Sequence, residues 1–227
     1  MSTTTIRPTE PPAPATAAPG ESPRASRVRL AGASFVGAAA VILMGIVTAE
    51  ALYPATYTTF ENEISDLGAT RPPNSVILQP SATIFDVSMI VAGLAILAGG
   101  WLLWRQVARR GPVFALGVLG FGVLGVGVFP GNTGAIHQIL SLVAFGAGGV
   151  AALLAARIAT GPFRRITLAV GAISLGVLVS YLVLGDAHPM ADLGDGGVER
   201  WIAYPIVLWI ATLGGWLMSA PRELASP

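Results

Sequence analysis

Residues 30–53 read LAGASFVGAAAVILMGIVTAEALY, with one charged side chain, Glu50, near the end. About 20 apolar residues in a helix cross the roughly 30 Å hydrocarbon layer of a bilayer, so this stretch reads as a spanning helix. Arg24, Arg27 and Arg29 precede it, as basic residues precede a signal peptide. The apolar core of a signal peptide is about 7–15 residues, and this run is longer.

Five further runs follow, at 83–104, 113–129, 136–156, 166–184 and 201–218. Each is long enough to span, the third only just. Without water, a run must satisfy its own backbone hydrogen bonds, so each is expected to be helical. No strand-like alternation suggests a β-barrel. The whole composition agrees: 53% hydrophobic, 11% charged and a mean hydropathy of +0.70. Soluble domains carry about twice that charged fraction.

Residues 1–27 are rich in Pro, Thr, Ala and Ser, including Pro11, Pro12, Pro14, Pro19 and Pro23. That composition reads as a disordered tail. The membrane domain is expected over 28–220, with a short tail at 221–227.

Arginine sets the expected orientation. The chain has no lysine. Arg7, Arg24, Arg27, Arg29, Arg105, Arg109, Arg110, Arg157, Arg164, Arg165 and Arg222 fall on one side of the six runs, and Arg71 and Arg200 on the other. The positive-inside rule places the eleven in the cytoplasm, with both termini. A net charge of +1 with no basic stripe gives no reason to expect nucleic acid. The absence of cysteine excludes disulfides, thiol nucleophiles and thiolate metal sites.

Small residues form stripes: Ala144, Gly148 and Ala152 on the fourth run, Ala172, Gly176 and Ser180 on the fifth. Such stripes allow close helix approach in membranes.

The chemistry is concentrated on the outer side. Glu50, Glu61, Glu63, Asp66, Asp86, Asp186, Asp192, Asp195 and Glu199 lie there, with His137, His188, Arg71 and Arg200. Singly, each has a structural reading. Glu199 and Asp86 suit helix starts, where negative charge meets the positive end of the dipole. Asn132 and Thr133 suit capping. Ionisable groups near membrane depth nevertheless point to function. A divalent metal could take His137 and His188 with Asp66, Asp86 or Asp186, since imidazole and carboxylate suit zinc. No His-x-x-x-His pair is present. Ser65 lacks the Gly-x-Ser-x-Gly context of many serine hydrolases.

Asn62-Glu63-Ile64-Ser65-Asp66-Leu67-Gly68-Ala69 resembles the N-x-I-S-D/E-L-G-A signature of the Domain of Unknown Function 998 family of prokaryotic membrane proteins. Ile84-Phe85-Asp86, Gly127-Val128-Phe129-Pro130 with His137, and Val198-Glu199-Arg200 with Tyr204-Pro205 and Trp209 resemble its later elements. Asp86 stands where that family usually has Asn. The resemblance implies six helices and no established activity. It singles out Ser65, Asp66, His137, Glu199 and Arg200 as site candidates.

The expectation is therefore an all-α, six-helix bundle in the plasma membrane with a polar outer pocket. That pocket binds a lipid headgroup or small polar ligand, with hydrolysis as one chemistry open to it. A non-catalytic membrane partner or homo-oligomeric assembly subunit is the alternative, and a small-solute transporter the third. Asp66, His137 and the Glu199/Arg200 pair are expected to converge, with an acid partner for Arg200 if it is buried.

Overall fold

The computed structural model describes residues 22–219, and every regular element in them is helical. The six long helices are α1 (Pro23–Ala51), α2 (Ser81–Leu103), α3 (Gly111–Val128), α4 (Ala135–Ala155), α5 (Gly161–Leu184) and α6 (Gly194–Ser219). Each is long and apolar enough to cross a membrane. Short 3-10 turns occupy Ile64–Leu67, Gly131–Thr133, Gly185–Ala187 and Ala191–Leu193.

All six helices begin earlier than hydropathy indicates, α1, α5 and α6 by five or more residues. Most of the expected tail, residues 1–21, and residues 220–227 lie outside the described residues. Pro23–Arg27, read above as tail, form the first turn of α1. Proline loses nothing at a helix start, where its missing N–H has no partner anyway. Ser22 Oγ accepts the N–H of Ala25 at 3.2 Å, capping that end. α5 starts at Gly161, just before Pro162, and α6 at Gly194. Glu199 therefore lies inside α6 rather than before it, and Asp86 lies beyond the first turn of α2. Asn132 and Thr133 form a 3-10 turn, and Gly134, at φ 68°, caps α4 instead. Polar turns at a membrane boundary look like loops to a hydropathy reading, although their backbone is helical.

The helices pack as a ring. Each contacts its chain neighbours, α1 closes against α6, and α4 also reaches α6. Glycines set the closest approaches. A Cβ on Gly32 of α1 would stand 2.5 Å from the Gly214 carbonyl oxygen of α6, and one on Gly214 would meet the Gly32 carbonyl oxygen at 2.5 Å. Gly122 of α3 stands against the backbone of Ala144 on α4. The α4 stripe of Ala144, Gly148 and Ala152 is buried, as expected. The α5 stripe is not the packing face. Gly176 looks into open space, whereas Thr167, Gly171, Ser174 and Leu178 are buried. Residue size alone does not say which side of a helix meets a neighbour. Across the α5–α6 contact, Trp209 Nε1 donates to Thr167 Oγ1 at 3.2 Å, with both side chains fully buried.

Candidate functional site

The longest connection, residues 52–80, folds back over the end of the bundle that carries most of the acids. Its attachment is built from α6. A Cβ on Gly196 would collide with the Asn62 carbonyl oxygen, so only glycine allows the loop backbone this close. The Gly196 N–H donates to Phe60 O at 3.1 Å. One turn along α6, buried Arg200 grips the same loop. Its Nη1 donates to Asn62 O at 2.9 Å and Thr59 O at 3.3 Å, and to Gly196 O at 2.8 Å. Its Nη2 donates to the Tyr57 hydroxyl at 2.8 Å. The expected acid partner is thus replaced by three carbonyls and a phenol. A guanidinium with five N–H donors can satisfy several backbone acceptors at once, which a single carboxylate would not. Burial pushes the Tyr57 phenol above its ordinary value, opposed by the Arg200 charge.

Asp66 serves its own turn. Its Oδ2 accepts the N–H of Glu63 at 3.0 Å and the Asn62 amide at 3.4 Å. Ser81 Oγ donates to Leu67 O at 3.0 Å and ties the turn to α2. So positioned, the loop roofs a cavity of about 280 Å³ between α4, α5 and α6. The loop contributes Glu63, Ser65 and Arg71 to its lining; α4 contributes His137, Gln138 and Ser141; α5 contributes Tyr181; and α6 contributes Asp195 and Glu199. Leu142, Phe145, Leu178, Leu182, Val198 and Ile202 complete the wall. Arg71 Nη2 bonds both oxygens of Glu63, at 2.5 and 2.7 Å. Desolvation raises the Glu63 carboxyl above its ordinary range, and the Arg71 charge opposes that. The half-buried Glu199 directs Oε2 onto the N–H of Ile64.

A second, smaller cavity of about 80 Å³ lies in the bundle centre. Its walls are apolar apart from Ser65, Ser141 and Glu199, and it shares these three and Phe145 with the polar cavity. Three of the five site candidates, Ser65, His137 and Glu199, therefore meet in one cavity. Asp66 and Arg200 instead hold its roof. Ser141 was missed by sequence reasoning. Its only signal is its position four residues after His137, which puts both on one helix face.

The expected metal set does not assemble. Among the described residues, no three His, Asp or Glu side chains converge to hold an ion. His188 is buried against Tyr181, with ring centroids 5.5 Å apart, and its Nδ1 accepts the N–H of Met190 at 3.2 Å. Asp186 is exposed. Asp86 sits on α2 beside Gly68, where a Cβ would stand 2.5 Å from its Oδ1. Asp66 is committed to its own turn. Acids and histidines at one end of a bundle need not share a centre, because each helix turns them to its own azimuth.

These features define a six-helix, multi-pass membrane protein. The chain belongs to the family described as Protein of unknown function (DUF998), whose model matches residues 36–216. No curated protein and no solved structure matches it.

Proposed function

We propose that this protein binds the headgroup of an amphiphile in the cavity between α4, α5 and α6. One observation carries the reading: a single lining combines charged and hydroxyl groups with leucines that face outward. Leu142 on α4 and Leu182 on α5 line the cavity and are exposed on the bundle's flank. A lipid could slide its headgroup in from the bilayer while its chain stays among apolar side chains. Arg71 is paired with Glu63 and Glu199 accepts the Ile64 N–H, which leaves Asp195 as an acid without a cation in the lining. That balance favours a cationic or hydroxyl-rich headgroup over a phosphate. The protein resides in the plasma membrane with both termini in the cytoplasm, on the strength of the arginine asymmetry. The central cavity supports a transporter poorly, because its few polar groups cluster at one end.

The test uses protein in lipid nanodiscs with three probes of one chain length: dodecyltrimethylammonium, dodecyl glucoside and dodecyl phosphate. The first two should raise the unfolding temperature by several degrees and the phosphate by less. Leu142→Trp, which narrows the mouth, should abolish the shift. Equal shifts from all three probes in both proteins would sink the reading. Since the chain has no cysteine, single cysteines at Asn74 and Arg165 test orientation. An impermeant maleimide on intact cells should label the first and spare the second.

A further inference from the structure

We propose that Ser141 and His137 form a nucleophile–base pair that cleaves a carboxylic ester of the bound amphiphile, an activity that rests on the binding reading above. His137 is the third residue of α4, and its ring is 3% exposed. Nδ1 lies 2.7 Å from Phe129 O, the carbonyl at the C-terminal end of α3. A carbonyl only accepts, so Nδ1 carries the proton and Nε2 of the neutral ring presents a lone pair. Ser141 Oγ lies 3.3 Å from that Nε2. Its hydroxyl must be the donor of the pair. This is the arrangement of a general base beside a serine, with a backbone carbonyl orienting the ring where a triad uses a carboxylate.

Two other helix serines make a different choice. Ser34 and Ser88 donate to the carbonyls of Leu30 and Ile84, four residues back, at 3.0 and 2.7 Å. Such back-bonding is the ordinary fate of a hydroxyl inside an apolar helix. Ser141 instead points to imidazole, at the wall shared by the polar and apolar cavities. A headgroup in the polar cavity, with its chain leaving past Leu142 and Leu182, would bring an ester carbonyl between them to the lining that Ser141 contributes. Ser141 lies six residues into α4, about 9 Å along the helix, which keeps it near the boundary between headgroups and chains.

The reaction balances without a cofactor. Ser141 Oγ attacks the ester carbon while its proton passes to His137 Nε2. The adduct expels the alcohol oxygen, which takes the proton back and leaves an acyl group on Ser141. Water from the polar cavity then attacks, giving its proton to Nε2. The acyl–Oγ bond breaks, the carboxylic acid leaves and the serine is restored. The Gln138 amide, in the same lining, is the N–H donor within this proposal for the negative oxygen of each adduct.

An alkyl fluorophosphonate tests this without knowledge of the ester, because a base-activated serine displaces its fluoride and keeps the phosphonyl group. Full-length protein in nanodiscs should gain one adduct, mapped by mass spectrometry to Ser141. Ser141→Ala should lose it, and Ser34→Ala should label at the unaltered rate. His137→Gln should label at least about 100-fold more slowly, the usual contribution of a general base. The unaltered protein's rate should rise with pH as the histidine loses its proton, which a purely structural pair would not produce. No adduct on folded protein, or an adduct on another serine, overturns the proposal. If the dodecyl probes still stabilise that protein, the binding reading stands and only the catalytic one falls.

Discussion

The two ends of the bundle use arginine in opposite ways. At one end, residues 104–110 and 156–160 are short connections, and Arg105, Arg109, Arg110, Arg157, Arg164 and Arg165 are exposed there or in the adjoining turn of α5. Arg110 lies 5.3 Å from the Trp104 ring centroid, a contact at the surface. Under the positive-inside rule such cations count by their number and side. At the other end, Arg200 is 9% exposed and acts through direction, its Nη1 and Nη2 donating to fixed acceptors on the loop and on α6. The same guanidinium is an address when solvated and a clamp when buried. The difference lies in what loses its partner when it is removed.

Arg200→Ala should give the largest effect. It strands the carbonyls of Thr59 and Asn62 and frees the loop from α6. A loss of about 3 kcal/mol is expected, since buried acceptors left unpaired cost about 1–3 kcal/mol each. Proteolysis within residues 52–80 should accelerate in parallel. Arg110→Ala, its counterpart at the other end, should cost under about 1 kcal/mol, as exposed cation–π contacts do. Comparable losses in the two variants, read by thermal unfolding in detergent, would erase the distinction between the ends.

Packing provides the next contrast. Gly214→Leu drives a side chain into the Gly32 carbonyl and should cost about 2 kcal/mol, in the range for overpacked contacts. Gly176→Leu meets open space and should stay within about 0.5 kcal/mol, as surface changes do. Similar unfolding temperatures for the two would show that α1 and α6 do not depend on close approach.

The smallest effect concerns Glu63. Its folded carboxyl titrates above the ordinary 4.5, chiefly through burial, with Arg71 opposing. The folded state therefore holds this proton more tightly than the unfolded chain. The associated stability is complete below about pH 4.5 and fades as pH rises through the folded value. Glu63→Gln should flatten that decline. The change at neutral pH should be under about 1 kcal/mol, because relief from desolvation is set against a weakened, half-exposed Arg71 pair. Unfolding temperatures of both proteins from pH 4 to 8 measure it. A parallel pair of curves would place the proton on another group.

The amino-acid sequence by itself determined the number of helices, because bilayer thickness sets a length that an apolar run either meets or misses. It also separated the basic end from the acidic one, because charged residues are costly within the hydrocarbon layer and collect in the connections between the runs. Through the family resemblance it singled out Ser65, Asp66, His137, Glu199 and Arg200 without saying which of them share a cavity. What it could not decide was direction. Glu199 and Arg200 are adjacent in the chain, yet one lines the cavity and the other holds its roof, because successive helical residues point about 100° apart. Ser141 looked like one hydroxyl in an apolar helix until the Phe129 carbonyl fixed the His137 tautomer from outside α4. Gly176 and Gly214 were alike in the sequence until helix packing gave one a neighbouring backbone and the other open space. Hydropathy is a sum over nearby residues, whereas a clamp, a tautomer and a close approach each depend on an atom supplied by a distant part of the chain.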